Sequence, residues 1–268
     1  MHNKKHVVVF DLDETLGFFS NHGLFCDCVN YIFKDDCFYQ NHFNRIMDLY
    51  PELLRPGILN ILDYLKQKQR GGVCSNVIIY TNNTGPEEWA IQIKDYLNHR
   101  IKYNIFDSHI IAAFKVNGRR IEPGRTTHDK THRDLLNCTD LPENTQIFFL
   151  DDKSHPGMEH ESIYYINLFP YLQFIPWDTV IERFAKEFKT ELHDKKITHN
   201  DFHQKAMKYI SQVKLHDIEK DPEEYNMESV ISLKIIEHLD EFFSQYKNSH
   251  KTVRRHPKSK IKNRTVKK

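Results

Sequence analysis

Val7-Val8-Val9-Phe10-Asp11-Leu12-Asp13-Glu14-Thr15-Leu16 is the stretch from which the rest of this chain can be read. Four consecutive apolar residues, three of them β-branched, suit a strand buried on both faces, and the run ends abruptly in two carboxylates one residue apart. Side chains alternate along an extended backbone, so Asp11 and Asp13 face the same way only if the strand continues straight past them. If the chain turns after Asp11, as Glu14-Thr15 and nearby Gly17 permit, one carboxylate caps the strand and the other swings above it. Two acids so placed bind a hard divalent cation, and a carboxylate beside that cation can attack phosphorus. A calcium-binding EF-hand loop also begins D-x-D, but it wants Gly at its sixth position and Glu at its twelfth, where Leu16 and His22 stand. The plainer alternative is a strand end with solvated acids, and partners elsewhere in the chain have to decide.

Composition narrows the class. A chain of 268 residues, 39% hydrophobic and 28% charged, can bury one good-sized core with an appendage. No run of about 18 apolar residues occurs, so no membrane association is expected. The first strand begins too close to Met1 to leave room for a signal peptide, so a cytoplasmic or nuclear location is expected. Five cysteines (Cys26, Cys28, Cys37, Cys74, Cys138) are an odd number without export signals, and free thiols are expected. A formal charge of +1 argues against a globally basic nucleic-acid binder, yet residues 251–268 hold nine Lys or Arg and no acid. That tail is expected to be disordered when free and to serve as a nuclear address, a nucleic-acid patch or a solubilising end. Seventeen histidines make the protein more cationic slightly below neutral pH.

Along the chain, the aromatic-rich segment from Phe18 to Tyr50 is long for a plain connection and is expected to form a hairpin flap followed by a helix. Within it His22, Cys26, Cys28, Cys37 and His42 could be imagined as zinc ligands. A C-x-C pair lacks the usual bite, so packed, reduced cysteines are expected instead. Leu54-Arg55-Pro56-Gly57 opens a helix with apolar residues at helical spacing, and Gly71-Gly72 ends it. Val77-Ile78-Ile79-Tyr80 supplies a second buried strand, ending in Thr81-Asn82-Asn83-Thr84 before a helix whose first turn carries Glu87 and Glu88. A hydroxyl at a strand end followed by backbone N–H groups is a natural phosphate cradle, although by itself Thr81 reads as a capping or turn threonine. A third strand is expected at about 108–114. Lys130 has no local feature that distinguishes it from a surface charge. Ile147-Phe148-Phe149-Leu150 is a fourth strand followed at once by Asp151-Asp152, two adjacent acids that a strand end does not need. Ile163-Tyr164-Tyr165-Ile166 makes a fifth. Helices follow at Val180–Phe188 and Phe202–Val213, with a last apolar stripe from Val230 to Phe243 that buries against the core. The expected organisation is a core domain over 1–190, a helical extension over 191–250 packed on it, and the basic tail over 251–268. Buried strands alternating with helices predict an α/β, Rossmann-like parallel sheet with helices on both faces.

Asp11-Leu12-Asp13-Glu14-Thr15-Leu16 resembles the first motif of the haloacid-dehalogenase-type phosphotransferases, specifically the branch of phosphatases acting on the C-terminal domain of RNA polymerase II and their relatives, the NLI-interacting-factor-like phosphatases. Further matches in family order extend the resemblance over about residues 6 to 180. Arg55-Pro56-Gly57 resembles an element of the same branch, and Ile78-Ile79-Tyr80-Thr81 resembles the second motif, a Thr or Ser at the end of the strand beside the first. Lys130-Thr131-His132-Arg133-Asp134-Leu135 is similar to the third, a Lys shortly before Asp-Leu, although intervening residues loosen the match and leave Arg125 or Arg133 as substitutes. Asp151-Asp152-Lys153-Ser154 resembles the fourth, with Asp152 where the branch has Asn; the change keeps an oxygen ligand.

The resemblance implies a haloacid-dehalogenase-like core with a small flap, no large cap domain, and the first strand central between the second and fourth. It implies that Asp11 attacks phosphorus to give an aspartyl-phosphate and that Asp13 acts as the acid and then the base. Thr81, Asn82 and Lys130 would bind the phosphate. Mg²⁺ would be held by the Asp11 carboxylate, the Asp13 carbonyl and Asp152, with Asp151 close behind. The glycines and lysine of G-x-x-x-x-G-K-[ST] are absent, which disfavours ATP hydrolysis. An open cleft suits macromolecular phosphoesters, so a phosphoserine or phosphothreonine protein is the leading substrate class, acted on by a monomer. A nucleic-acid end phosphatase using the basic tail is the second reading, and an inactive protein-binding scaffold of the same fold the third.

Overall fold

The computed structural model describes residues 5–213 and 222–245. The expected basic tail at 251–268 lies outside these residues. Strand β1 (His6–Phe10) is followed by α1 (Ser20–Phe33), α2 (Phe38–Asn41), α3 (Phe43–Met47) and α4 (Ile58–Arg70). Then come β2 (Asn76–Ile79), α5 (Glu87–Ile101), a short hairpin of β3 (Lys115–Val116) and β4 (Arg119–Arg120), and α6 (His132–Thr139). Strands β5 (Gln146–Asp151) and β6 (Ile163–Asn167) complete the sheet, and α7 (Trp177–Glu187), α8 (Lys189–Asp194), α9 (His199–Ile210) and α10 (Pro222–Gln245) complete the described residues. The main sheet has four parallel strands in the order β2-β1-β5-β6, so the opening strand is central, paired with β2 through Val8↔Val77 and with β5 through Val8↔Phe148.

The apolar runs are continuous because both faces of this sheet are covered. Val8, Phe10, Val77, Ile79, Phe148 and Leu150 point into a large core that also takes in Phe25, Ile61, Phe184, Phe202 and Leu239. Their neighbours Val7, Val9, Ile78, Tyr80, Ile147 and Phe149 face a smaller core under Leu135, Ile111 and Met158. Alternation along each strand therefore feeds two cores. Leu192, Phe202, Ile235 and Phe242, from the expected extension, share the larger core with the sheet residues. No helix of the described residues is long and apolar enough to cross a membrane.

Two expected elements take other forms. The segment from Phe18 to Tyr50 contains no hairpin flap; it is helical as α1, α2 and α3. Phe25, Cys28, Val29, Ile32 and Phe33 recur at three- and four-residue spacing and are buried together, so the aromatic residues line a helix face. The hairpin of the described residues is the short β3–β4, turned at Asn117 and Gly118 with φ of 50° and 80°, as an Asn-Gly turn requires. The strand expected at 108–114 is reduced to isolated parallel bridges, Val77↔Phe106 and Tyr80↔Ile111. Asp107 N donates to Val77 O and Ile111 N to Ile79 O (2.9 Å each), so four positions of this edge span two of β2 and the ladder is interrupted.

Candidate active site

The carboxyl ends of β2, β1 and β5 lie side by side, and each carries one of the polar clusters noted in the sequence. In open parallel sheets this edge is where ligands gather. Asp11 directly follows β1, its N–H donating to Leu150 O of β5 (2.9 Å). The chain then turns: Glu14 takes a left-handed φ of 59°, and its N–H donates to Gly17 O (2.8 Å). Gly17 is required because any side chain there would collide with the Leu53 carbonyl and the Phe19 ring. The turn swings Asp13 away from the strand axis, and its Oδ2 accepts from Asn83 Nδ2 (2.7 Å) beyond the end of β2.

A buried arginine holds this turn from below. Arg55 Nε donates to Thr15 O (2.8 Å), and Nη2 donates to Glu14 O and Phe169 O (2.7 Å each). Its Nη1 pairs with Glu228 Oε2 of α10 at 2.7 Å. The planar fork meets this spread of acceptors in a way an ammonium could not. Gly57 lets α10 come close: its φ is 78°, and a Cβ there would lie 2.6 Å from Ser232 Cβ. Thr15 in turn grips Asp152, its Oγ1 donating to Oδ1 (3.3 Å) and accepting from Asp152 N (3.2 Å). A continuous series thus runs from Glu228 through Arg55 and Thr15 to Asp152.

Lys130 enters from the loop before α6. Thr131 caps that helix by accepting from Asp134 N (3.0 Å), and the Asp134 carboxylate accepts from Thr126 N and Oγ1 (2.9 Å each), folding the loop over the site. Lys130 is buried, and its Nζ contacts Asp11 Oδ1 at short range and Asp151 Oδ2 at 2.6 Å. Its backbone N–H donates to His155 Nδ1 (3.4 Å), while His155 Nε2 approaches Asp151 Oδ2 at 3.4 Å without the alignment of a hydrogen bond.

The two carboxylates that share Lys130 are not equivalent. Burial pushes Asp11 up to about 7 against the pull of Lys130, with the Asp151 charge adding to the rise. Burial acts on Asp151 too, but His155, Lys130 and the Lys153 N–H (2.8 Å) outweigh it and hold its carboxyl below the usual range. The surroundings therefore favour the ionised form of Asp151 more than that of Asp11. Burial also raises Asp13, although the Asn83 hydrogen bond and Lys130 oppose it. Asp152 is raised by burial and by Asp151.

Donor oxygens of Asp11, Asp151 and Asp152 all lie within 4.8 Å of one another. Three converging carboxylates are the donor set of a hard cation, so the residues present fit Mg²⁺. The Asp13 side chain stands outside this group, turned to Asn83. Thr81 is buried at the end of β2 with its Oγ1 accepting from Asn83 N (2.9 Å). Asn82 Oδ1 accepts from Arg125 Nη1 (2.7 Å), and Arg125 also donates to the Thr81, Ala112 and His128 carbonyls. Arg125 is thus committed to backbone and Asn82 groups past the end of β2 and to its own loop, and Arg133 is exposed, so of the three Lys130 is the one whose charge meets Asp11 and Asp151. Asn83, Thr15 and His155 were not legible as site residues; only Thr15, inside the opening motif, carried any local signal. Among the cysteines of residues 18–50, Cys26 Sγ donates to His22 O (2.7 Å) and Cys37 is exposed.

Comparison with protein-family models, with curated proteins and with solved structures returns no match to this chain.

Proposed function

We propose that the protein is a Mg²⁺-dependent phosphoric monoester hydrolase working through an aspartyl-phosphate on Asp11, with phosphoserine or phosphothreonine in proteins as its substrate class. One observation carries the reading: a buried Lys130 Nζ joins Asp11 and Asp151 at the ends of adjacent strands, while Asp13 is held beside them by Asn83. The order and spacing of these residues, similar to the haloacid-dehalogenase-type phosphatases, support it independently.

In the first step an Asp11 carboxylate oxygen attacks phosphorus, the bond to the leaving oxygen breaks, and that oxygen takes a proton from Asp13. Burial holds the Asp13 carboxyl above its usual range, in the direction a general acid needs. In the second step Asp13, now ionised, accepts a proton from water as the water oxygen attacks phosphorus. The bond between phosphorus and Asp11 breaks, releasing phosphate and restoring both carboxyl groups. Asp11, Asp151 and Asp152, with the Asp13 backbone carbonyl, would hold Mg²⁺, which when bound offsets the repulsion between a carboxylate nucleophile and a phosphate dianion. Lys130 adds a fixed positive charge to the same end, and Thr81 a hydroxyl, for the phosphoryl oxygens.

The test is hydrolysis of an aryl phosphate. Activity is expected with Mg²⁺, lost with EDTA and restored by added Mg²⁺, and rapid-quench labelling should trap a phosphoenzyme in the native protein and none in Asp11→Asn. Equal activity without a divalent cation, or labelling of Asp11→Asn, overturns the mechanism.

A further inference from the structure

We propose that the groove beside Asp13 docks a polypeptide segment bearing Lys or Arg, so that the site acts on phosphorylated residues with basic neighbours. This rests on the phosphatase reading, because Asp13 and Asn83 line both the groove and the candidate site. The groove has a volume of about 430 Å³ and lies between α1, which contributes Asp27 and Asn30, and the start of α5, which contributes Glu88 and Trp89. The rings of Tyr39 and the half-buried Trp89 lie 6.0 Å apart along it.

The charged residues of its lining are Asp13, Asp27 and Glu88; no Lys, Arg or His is among them. Asp27 and Glu88 are exposed. Partial burial of its carboxyl holds Asp27 above its ordinary range. On the other side of Asn83, Gly85 and Pro86 a smaller groove of about 170 Å³ is lined by Thr81, Glu87 and apolar residues, again without a cation. Lys115, Arg119 and Arg120 of the nearby hairpin line neither.

A nucleic-acid strand needs a cation for each phosphate it lays down, and either groove would instead repel it. A peptide guanidinium finds carboxylates for its charge and the half-buried Trp89 ring, backed by the buried Tyr39, for its plane. Asn30 and Asn83 are engaged within the fold, and peptide amides find hydrogen-bonding partners in Gln40 and Gln92.

The experiment compares phosphopeptides of one sequence with basic, neutral or acidic flanks and a 3′-phosphorylated oligonucleotide, using the full chain. Exposed ion pairs each contribute up to about fivefold, so kcat/KM for the basic-flanked peptide should exceed that for the acidic-flanked one by about tenfold at low salt and by less at high salt. In Asp27→Lys/Glu88→Lys the order should reverse while aryl phosphate hydrolysis is unchanged, and in the milder Asp27→Asn/Glu88→Gln the ratio should fall towards one. Binding of the same peptides, read by fluorescence anisotropy, should follow the same order whether or not turnover occurs. Absence of turnover with this order of binding retained overturns the catalytic reading alone. An identical flank preference in native and charge-reversed protein, or better hydrolysis of the oligonucleotide than of the basic-flanked peptide, overturns the docking site.

Discussion

Lys130 shows how much a single side chain can decide. Its ammonium sits between the carboxylates of Asp11 and Asp151, all three buried, and each member makes the burial of the others tolerable. Lys130→Met leaves two carboxylates facing each other without a counter-charge and should cost about 3 to 5 kcal/mol in urea denaturation, together with turnover. Asp11→Asn should also abolish turnover but cost less stability, because Lys130 keeps Asp151. Asp11 is only 7% exposed, so the plainer alternative of a strand end with solvated acids gives way here. His22 is the other revealing residue: enclosed by Phe25, Tyr39, Tyr50 and Trp89, it is held by burial at about 3 instead of 6.5. Between those values the unfolded chain binds a proton that the folded protein refuses, so stability is lost as the pH falls below 6.5. His22→Leu should flatten this acid limb, narrowing the difference in unfolding free energy between pH 8 and pH 5 by about 2 kcal/mol.

Among elements, α10 matters most to the site although it carries none of the chemistry. Glu228 neutralises Arg55, which holds the Glu14 and Thr15 carbonyls, and Thr15 holds Asp152. Glu228→Ala leaves a buried guanidinium without its partner and should destabilise by about 3 to 5 kcal/mol. Because the strain reaches Asp152, the same variant should need more Mg²⁺ for half-maximal aryl phosphate hydrolysis, with Glu228→Asp intermediate; a Mg²⁺ titration of both variants measures this. Arg55→Lys should behave like the Ala variant, since one ammonium cannot donate to four separated acceptors.

At the scale of the whole molecule, the larger core is continuous from the opening strand to the last helix. Phe242 packs edge-on to Phe148 of β5 with centroids 5.4 Å apart, so α10 covers one face of the sheet. Phe242→Ala opens that face and should cost about 3 to 5 kcal/mol, read as a lower urea midpoint with an unchanged slope. The smaller core under Leu135 and Met158 should be unaffected, because it lies across the sheet.

The sequence by itself determined the sheet and much of the site. Continuous apolar runs at 7–10, 77–80 and 147–150 demand burial on both faces, and acids at the ends of such runs have no structural use, so strands and candidate site were legible together. The strand at 108–114 and the flap at 18–50 were misread because short apolar stretches do not distinguish a ladder from a bridged loop, nor a hairpin from a helix, until their partners are known. Only tertiary structure decided that Lys130 lies between Asp11 and Asp151, that Asn83 reaches Asp13, and that Arg55 binds Glu228 across 173 positions of chain. Such contacts depend on where loops arrive after the sheet has formed, and charge pairing between distant residues leaves no periodic trace in the sequence.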